Sequence, residues 1–569
     1  MKNRIDMTSS ILSFGQNEQL PFIIRQKSIS NKYSIIKHIR MWRSLHKFQK
    51  FLIVLVVFGM IYFIGSLFLQ KDNIAKKIIE KKDDNYSAGI DFEDDNNIVV
   101  DSKIADELNK RIIFEEPTNE RQKAVRDGFK HAWKNYKKYA WGADHLRPIS
   151  KKSSDWMSLG LTITDSLDTL LIMNLVEEYN EGRQWVMNNL TFQNDKYVNF
   201  FETSIRVLGG LLSTYHLTGD ILYKEKASIL GEKLLGAIEN SKSGIPYSDV
   251  NLKTKESRNP AWSIASSLSE VTSVQLEFRD LGRISGNKTF EDLTFNINKI
   301  IHNDGCKSMD GLCPMFINPS TGKFIKDSSI TLGARTDSYY EYLLKQWIQT
   351  GKTIDFLKDD FIKAMESVKK NLIKYSVPNK YLYIGEITSG GSFYPKMDHL
   401  VCFLAGTLAL GHKNGLSDEY LEIGSKLGET CHLFYKNPTG LGPEIAHFNE
   451  KNKNKKDLYI KPLDSHSLLR PEAVEGWFYL YRFTGDKKYQ DWAWEMFKAI
   501  EKYAKVDTGY SSIVNVKKIP VSYKDMMESF FLSETMKYLY LILSDNQAVL
   551  PLDKWVFNTE GHPLPIYNN

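Results

Sequence analysis

Cysteine is scarce in this chain of 569 residues: Cys306, Cys313, Cys402 and Cys431 are the whole complement. None stands in a metal-binding spacing, so no cysteine metal site is expected. Net charge is also small where it would matter. The total is +6, but residues 1–50 hold ten Lys/Arg against Asp6 and Glu18, a net of +8, which leaves −2 for residues 51–569. A near-neutral bulk argues against nucleic acid as a partner. Proline-rich and low-complexity breaks are missing after residue 118, so residues 119–569 read as one domain. Alternating strand and helix patterns are missing too, as is a nucleotide-binding motif. What remains is 42% hydrophobic and 12% aromatic, enough to bury a large core.

Phe51–Leu69, FLIVLVVFGMIYFIGSLFL, is uncharged over 19 residues and long enough to span a bilayer. A cleaved signal peptide is the rival reading, but the run is long and begins fifty residues in. Lys32, Lys37, Arg40, Arg43, Lys47 and Lys50 precede it, with no acid between Gln19 and Gln70. The positive-inside rule then makes residues 1–50 a cytosolic tail, 51–69 a transmembrane signal-anchor helix and the remainder lumenal, a single-pass type II topology. Residues 70–118, rich in Lys, Asp, Asn and Glu, read as a solvated stem. Lumenal sequons stand at Asn85, Asn189 and Asn287; Asn318 and Asn437 are followed by proline and do not count. In an oxidising compartment disulfides are permitted, and four cysteines allow three pairings that sequence alone does not choose between.

Leu469–Asp486, LRPEAVEGWFYLYRFTGD, shows the unit from which the large domain is built. Pro471 and the acids Glu472 and Glu475 suit a helix's first turn, and Gly485 suits a left-handed cap. Between them Val474, Trp477, Phe478 and Leu480–Tyr481 are apolar on most sides. Helix-ending glycines recur at Gly219, Gly286, Gly351, Gly415 and Gly485, separated by 67, 65, 64 and 70 residues. Each closes an apolar helix that starts with a carboxylate: Glu202, Glu270, Asp337, Asp398 and Glu472. Two further such helices are expected, one beginning near Asp165 and Asp168, the other at Glu528. An amphipathic helix follows each glycine, and Arg121–Tyr139 precedes the set. Seven buried helices alternating with seven amphipathic ones predict an all-α toroid whose acid-bearing helix starts converge at one end. An open solenoid would line a groove with the acids instead; an inward acid at every helix start favours closure. The segments 304–334, 377–396 and 437–469 read as long loops at the acidic end, and Lys451–Asp457, KNKNKKD, as a solvated loop tip.

A funnel of carboxylates interleaved with Phe200, Phe201, Tyr339, Tyr340, Phe530 and Phe531 suits a neutral polyhydroxylated ligand, because carboxylates accept from sugar hydroxyls and aromatic faces stack on C–H surfaces. Glycoside hydrolysis needs one carboxylic acid for the leaving oxygen and one carboxylate for water or for attack. A single acid at a helix start is explained well enough by the helix dipole, at about 0.3–1 kcal/mol. Seven, each on an otherwise apolar helix, strain that explanation.

The strings FFETSIRVLGG (200–210), SEVTSVQLEFRDL (269–281), LGARTDSYYEYLLK (332–345), MDHLVCFLAG (397–406), LLRPEAVEGWFYLYR (468–482), MESFFLSETMKYLYL (527–541) and VFNTEGHP (556–563) carry a resemblance. Residues 119–569 resemble the class I α1,2-mannosidases of glycoside hydrolase family 47. The resemblance implies an (α/α)7 barrel and a calcium-dependent inverting hydrolase. It would remove terminal α1,2-linked mannose from high-mannose N-glycans. Glu202 matches the family's general acid, thought to act through a water, and Glu472 the general base. Asp337 matches a third essential carboxylate, and the division of labour between it and Glu202 stays open. Inversion requires acid and base about 6.5–9.5 Å apart. Arg206, Glu270, His399, Arg470, Glu475, Phe530, Glu534 and Glu560 match sugar-contacting or metal-shell positions, although Arg206 would serve equally to neutralise the acids.

No Asp-rich calcium loop is present; the family's Ca2+ is held by a threonine, which corresponds to Thr559. Cys402 and Cys431 match the family's disulfide, while Cys306 and Cys313 stay open between a local bridge and free thiols. Three departures stand out: Gly561 in TEGH where the family has Ala, Gly476 in PEAVEG where it has Ser, and His145 in WGADHL where an acid is usual. Arg335, two residues before Asp337, is shared with the endoplasmic-reticulum members that take one mannose from the middle branch, which implies the first trimming step in the endoplasmic reticulum. The early Golgi is the alternative compartment. A monomeric lumenal domain is expected. The rival activity is a mannose-glycan-binding factor without catalysis, involved in degrading misfolded glycoproteins; retention of the whole acid set argues for an enzyme.

Overall fold

Residues that are apolar on every side must be covered on every side, and the chain satisfies this with two concentric layers of helices. The computed structural model describes residues 112–304, 306 and 309–567. The predicted anchor Phe51–Leu69 and the sequon at Asn85 lie outside the described residues. Among the described residues no helix is long and apolar enough to cross a membrane.

Seven longer helices form the outer layer: α1 (Glu120–Ala140), α3 (Val176–Asn189), α5 (Ile221–Leu234), α7 (Thr289–Asp304), α9 (Asp355–Asn371), α11 (Glu419–Phe434) and α13 (Lys488–Tyr503). Each is amphipathic; α13, for example, buries Tyr489, Ala493, Met496, Phe497 and Ile500 at helical spacing. The inner layer comprises α2 (Leu161–Ile172), α4 (Gly209–Thr218), α6 (Gln275–Ser285), α8 (Asp337–Gln349), α10 (Phe403–Lys413), α12 (Glu472–Thr484) and α14 (Met536–Ile542). Every residue of α8 from Ser338 to Gln349 is buried, Glu341 and Lys345 included.

Each inner helix touches the next in order. The π-helical turn Phe531–Thr535, which leads into α14, packs against α2 and closes the ring. Each inner helix also packs against at least one outer helix, α14 against α1 and α13. The five repeat glycines all adopt left-handed φ, between +63° and +93°, which a side chain would oppose.

The structure corrects four expectations. Asp165 and Asp168 do not open their helix; α2 begins at Leu161, after Gly160, and both acids are buried in its middle. Apolar spacing locates a helix better than it locates the first residue. Glu270 sits in a separate turn, Leu268–Thr272, divided from α6 at Ser273–Val274. The long loops also carry short strands, such as the three-stranded sheets Lys396–Asp398/Ile445–Phe448/Leu458–Tyr459 and Ser266–Ser267/Phe316–Asn318/Lys323–Phe324. Strands of two to four residues are too short to display alternation. In KNKNKKD residues 451–456 are exposed, but Asp457 is buried and accepts from Ser376 and Asn379, anchoring the loop.

Both disulfides form, Cys306–Cys313 and Cys402–Cys431. The second joins the 3-10 turn His399–Cys402 to α11. Gly476 answers a steric need: a Cβ there would stand 2.9 Å from the Cys402 carbonyl oxygen, so its absence lets α12 approach α10 closely.

Candidate active site

Three carboxylates and their partners define the acidic end of the ring. Glu202 ends the turn Phe200–Glu202, where the Asn199 side chain accepts from its backbone N–H at 2.9 Å. The π-helix Thr203–Leu208 follows and carries Arg206, whose Nε donates to Glu202 at 2.7 Å. Arg206 also pairs with Glu560 and stands 3.6 Å from Asp165. Its guanidinium thus lies within the acid cluster and offsets part of that charge.

Asp337 is the first residue of α8 and accepts from Ser269 Oγ at 2.8 Å and from the Ser338 N–H at 2.9 Å. Burial pushes its carboxyl up to about 7; the two hydrogen bonds oppose the rise, and the charges of Glu341 and Glu472 add to it. Glu472, the first residue of α12, meets the opposite outcome. Burial alone would raise it, but the hydrogen bond from His399, together with the nearby guanidinium of Arg470, holds it below the usual glutamate range. His399 Nδ1 lies 2.9 Å from Glu472 Oε2, and Nε2 lies 2.8 Å from the Tyr435 hydroxyl. Arg470 donates to Glu444 at 2.6 Å. The guanidinium groups of Arg206 and Arg470 lie over the Phe530 ring at 5.7 and 5.5 Å, so this aromatic is fixed between two cations.

Deeper in the ring Glu475, Glu534 and Glu560 are buried together, and burial raises all three carboxyls. Glu475 has Lys345 at 3.7 Å, and Glu560 has Arg206. The Glu534 carboxylate makes no side-chain hydrogen bond or ion pair among the described residues. Beside them runs the turn Asn558–His562. Asn558 organises it: Oδ1 accepts from the N–H groups of Glu560 and His562, while Nδ2 donates to the Ile205 carbonyl and to Glu277. Gly561 has φ +71°, a left-handed conformation in which alanine would be strained.

Thr559 sits half-buried in this turn beside the carboxylate group. No three His, Cys, Asp or Glu side chains among the described residues converge closely enough to hold an ion directly. An oxygen donor set at Thr559 with an excess of buried carboxylates behind it fits a hard divalent cation held partly through water.

The remaining predicted residues separate into two groups. Glu270 is engaged in a capping box with Ser267 and accepts from Asn199 at 3.0 Å, so its carboxylate fixes local structure. Arg335 adopts φ +80°; its carbonyl accepts from Ser269 N–H, and its guanidinium lies 4.3 Å over Trp262. His145, unassigned from sequence, faces Glu528 at 3.7 Å. Asn189 and Asn287 are exposed, as glycan attachment requires.

Sequence reasoning missed a buried network behind the site. His562 bridges Asp165 (3.1 Å) and Asp168 (2.8 Å), and Lys537 donates to Asp168 at 2.9 Å and to the Gly561 carbonyl. A lysine inside the apolar run MKYLYL was the available signal, since a buried ammonium demands a partner.

This geometry has close parallels. The model of glycosyl hydrolase family 47 matches residues 128–566. The chain is 52% identical over 458 residues to the endoplasmic reticulum mannosyl-oligosaccharide 1,2-alpha-mannosidase of Mus musculus, covering 79% of this chain and 69% of that protein. It is 43% identical over 477 residues to the mannosyl-oligosaccharide 1,2-alpha-mannosidase of Candida albicans, covering 79% and 84%. The solved alpha-1,2-mannosidase from Trichoderma reesei matches with a TM-score of 0.74 at 28% identity, covering 80% of this chain and 100% of that one. The chain therefore belongs to glycosyl hydrolase family 47.

Proposed function

We propose that this glycosidase removes terminal α1,2-linked mannose from high-mannose N-glycans with inversion, and that it performs the first trimming step in the endoplasmic reticulum. The observation that carries the reading is the divergence of two carboxyls at the starts of α8 and α12, the inner helices on either side of α10. Asp337 is pushed up to about 7, while Glu472 is held below its usual range. One can hold a proton near neutral pH and the other is ionised, the pairing that acid–base hydrolysis needs.

In this reading Glu472 takes a proton from the attacking water. The leaving oxygen is protonated from the Glu202–Asp337 side, where Asp337 is the member able to hold the proton. Phe530, held by contacts with Arg206 and Arg470, would contact the sugar. Thr559 would hold Ca2+ through its carbonyl and hydroxyl oxygens, with Glu475, Glu534 and Glu560 acting through water. The ion, when bound, supplies positive charge that orients sugar hydroxyls and offsets these acids. Arg335, stacked on Trp262, is the position proposed to set branch preference. Anchoring by Phe51–Leu69 with a lumenal domain is part of the proposal, supported by the compartment named for the mouse relative.

The test is incubation of the full-length enzyme with the nine-mannose N-glycan, with and without a calcium chelator. Release of one mannose as the β-anomer, abolished by chelation, is expected. Glycan binding without release would leave only the lectin activity.

A further inference from the structure

Glu472 is not held by its own helix alone. It accepts from Nδ1 of His399, whose Nε2 lies 2.8 Å from the Tyr435 hydroxyl. An ionised carboxylate can only accept, so Nδ1 must carry the hydrogen. A neutral imidazole then leaves Nε2 as an acceptor, and Tyr435 is the donor that fills it. We propose that Tyr435 is a positioning residue of this site: its hydroxyl fixes His399 in the tautomer that donates to Glu472. The inference rests on the reading of Glu472 as the base.

Three features of the fold converge on the pair. The Cys402–Cys431 disulfide ties the turn that begins at His399 to the end of α11, just before Tyr435. The Tyr435 ring packs against Trp477 of α12 with 5.6 Å between centroids, so the helix that carries Glu472 also braces the phenol. Gly442 leaves the room required: a Cβ there would lie 2.9 Å from Tyr435 Cζ and 3.0 Å from both the Tyr435 hydroxyl oxygen and His399 Cδ2. Burial, with the charges of Glu472 and Glu444 adding, pushes the phenol well above its usual range, so its hydrogen is always available. The other charged groups facing the site are Arg470 ahead of α12, Asp337 on α8, Glu475 on α12 and Glu534 in the π turn. None hydrogen-bonds to either ring nitrogen.

The test is Tyr435→Phe in the full-length, calcium-loaded enzyme, with kcat and KM on the nine-mannose glycan measured across pH beside thermal denaturation. The expected kcat is about tenfold lower, part of what a general base supplies. KM should stay within about twofold, because ground-state binding is untouched. The acid limb of kcat should move to higher pH, since a His399 no longer held in this tautomer donates less to Glu472, and that hydrogen bond is what keeps the carboxyl low. Gly442→Ala, which crowds the hydroxyl without deleting it, should shift kcat the same way to a smaller extent, and decides the matter if Tyr435→Phe does not fold. A folded Tyr435→Phe with wild-type kcat, or with a lower kcat and an unmoved acid limb, overturns the inference. Glu472→Gln is assayed alongside. If it keeps wild-type kcat, the base reading itself fails; if it is inactive while Tyr435→Phe is fully active, only the role of Tyr435 fails.

Discussion

Asp337 and Glu472 each begin an inner helix, yet one carboxyl is raised to about 7 and the other is held below the normal glutamate range. The helix start is common to both. The difference is in the partners: two neutral donors for Asp337, an imidazole and a nearby guanidinium for Glu472.

The pH profile should record this split. Activity needs Asp337 protonated and Glu472 ionised, so kcat should fall on the basic side with an apparent pKa near 7. Asp337→Asn should remove that limb and lower kcat by about 10²–10⁴-fold. A basic limb unmoved in Asp337→Asn would assign the proton to another group.

Lys537 is the principal cation for Asp168, and both side chains are fully buried. Lys537→Met should therefore destabilise the fold by about 3–5 kcal/mol, read by denaturant unfolding. In the wild type Asp168 is lowered from 3.8 to about 2 in the folded state. A depressed carboxyl contributes stability that is present above the unfolded value and lost as pH falls. This share, about 2 kcal/mol, should disappear between about pH 4 and pH 2.

Calcium should raise the melting temperature, because the ion would offset carboxyls that burial and mutual repulsion now push upward. Glu534→Gln should shrink the calcium-induced shift measured by calorimetry. A shift of wild-type size in that variant would place the ion away from Thr559.

Gly476→Ser restores the residue usual in related sequences, but its Cβ would press on the Cys402 carbonyl and on Ala405. A loss of about 1–3 kcal/mol is expected, with kcat unchanged. Equal stability would mean that α10 and α12 can separate without penalty.

Much of this was legible in the chain. Helices apolar on all sides announce an inner layer, and Gly219, Gly286, Gly351, Gly415 and Gly485 mark where those helices stop. A charge at the start of an otherwise apolar helix calls for a reason, and the family resemblance then picks Glu202, Asp337 and Glu472 out of that set. The partners were not legible. His562 meets Asp165 across 397 positions, and Lys537 meets Asp168 across 369. No local period reports such pairings. Tyr435 follows an outer helix and looks like one more core aromatic until its hydroxyl is seen on His399.

The ring closure has a consequence for biosynthesis. Outer helix α1 and inner helix α2 leave the ribosome first, but their packing partners in the π turn and α14 are made last. Until then Asp165 and Asp168 have neither His562 nor Lys537 to meet, and a nascent barrel carries Asp168 without its cation and Asp165 with Arg206 alone in the wall it has yet to seal. The C-terminal segment is thus the keystone of the domain. A chain terminated before Lys537 has most of its helices but lacks the last inner helix of the ring and the cation of Asp168.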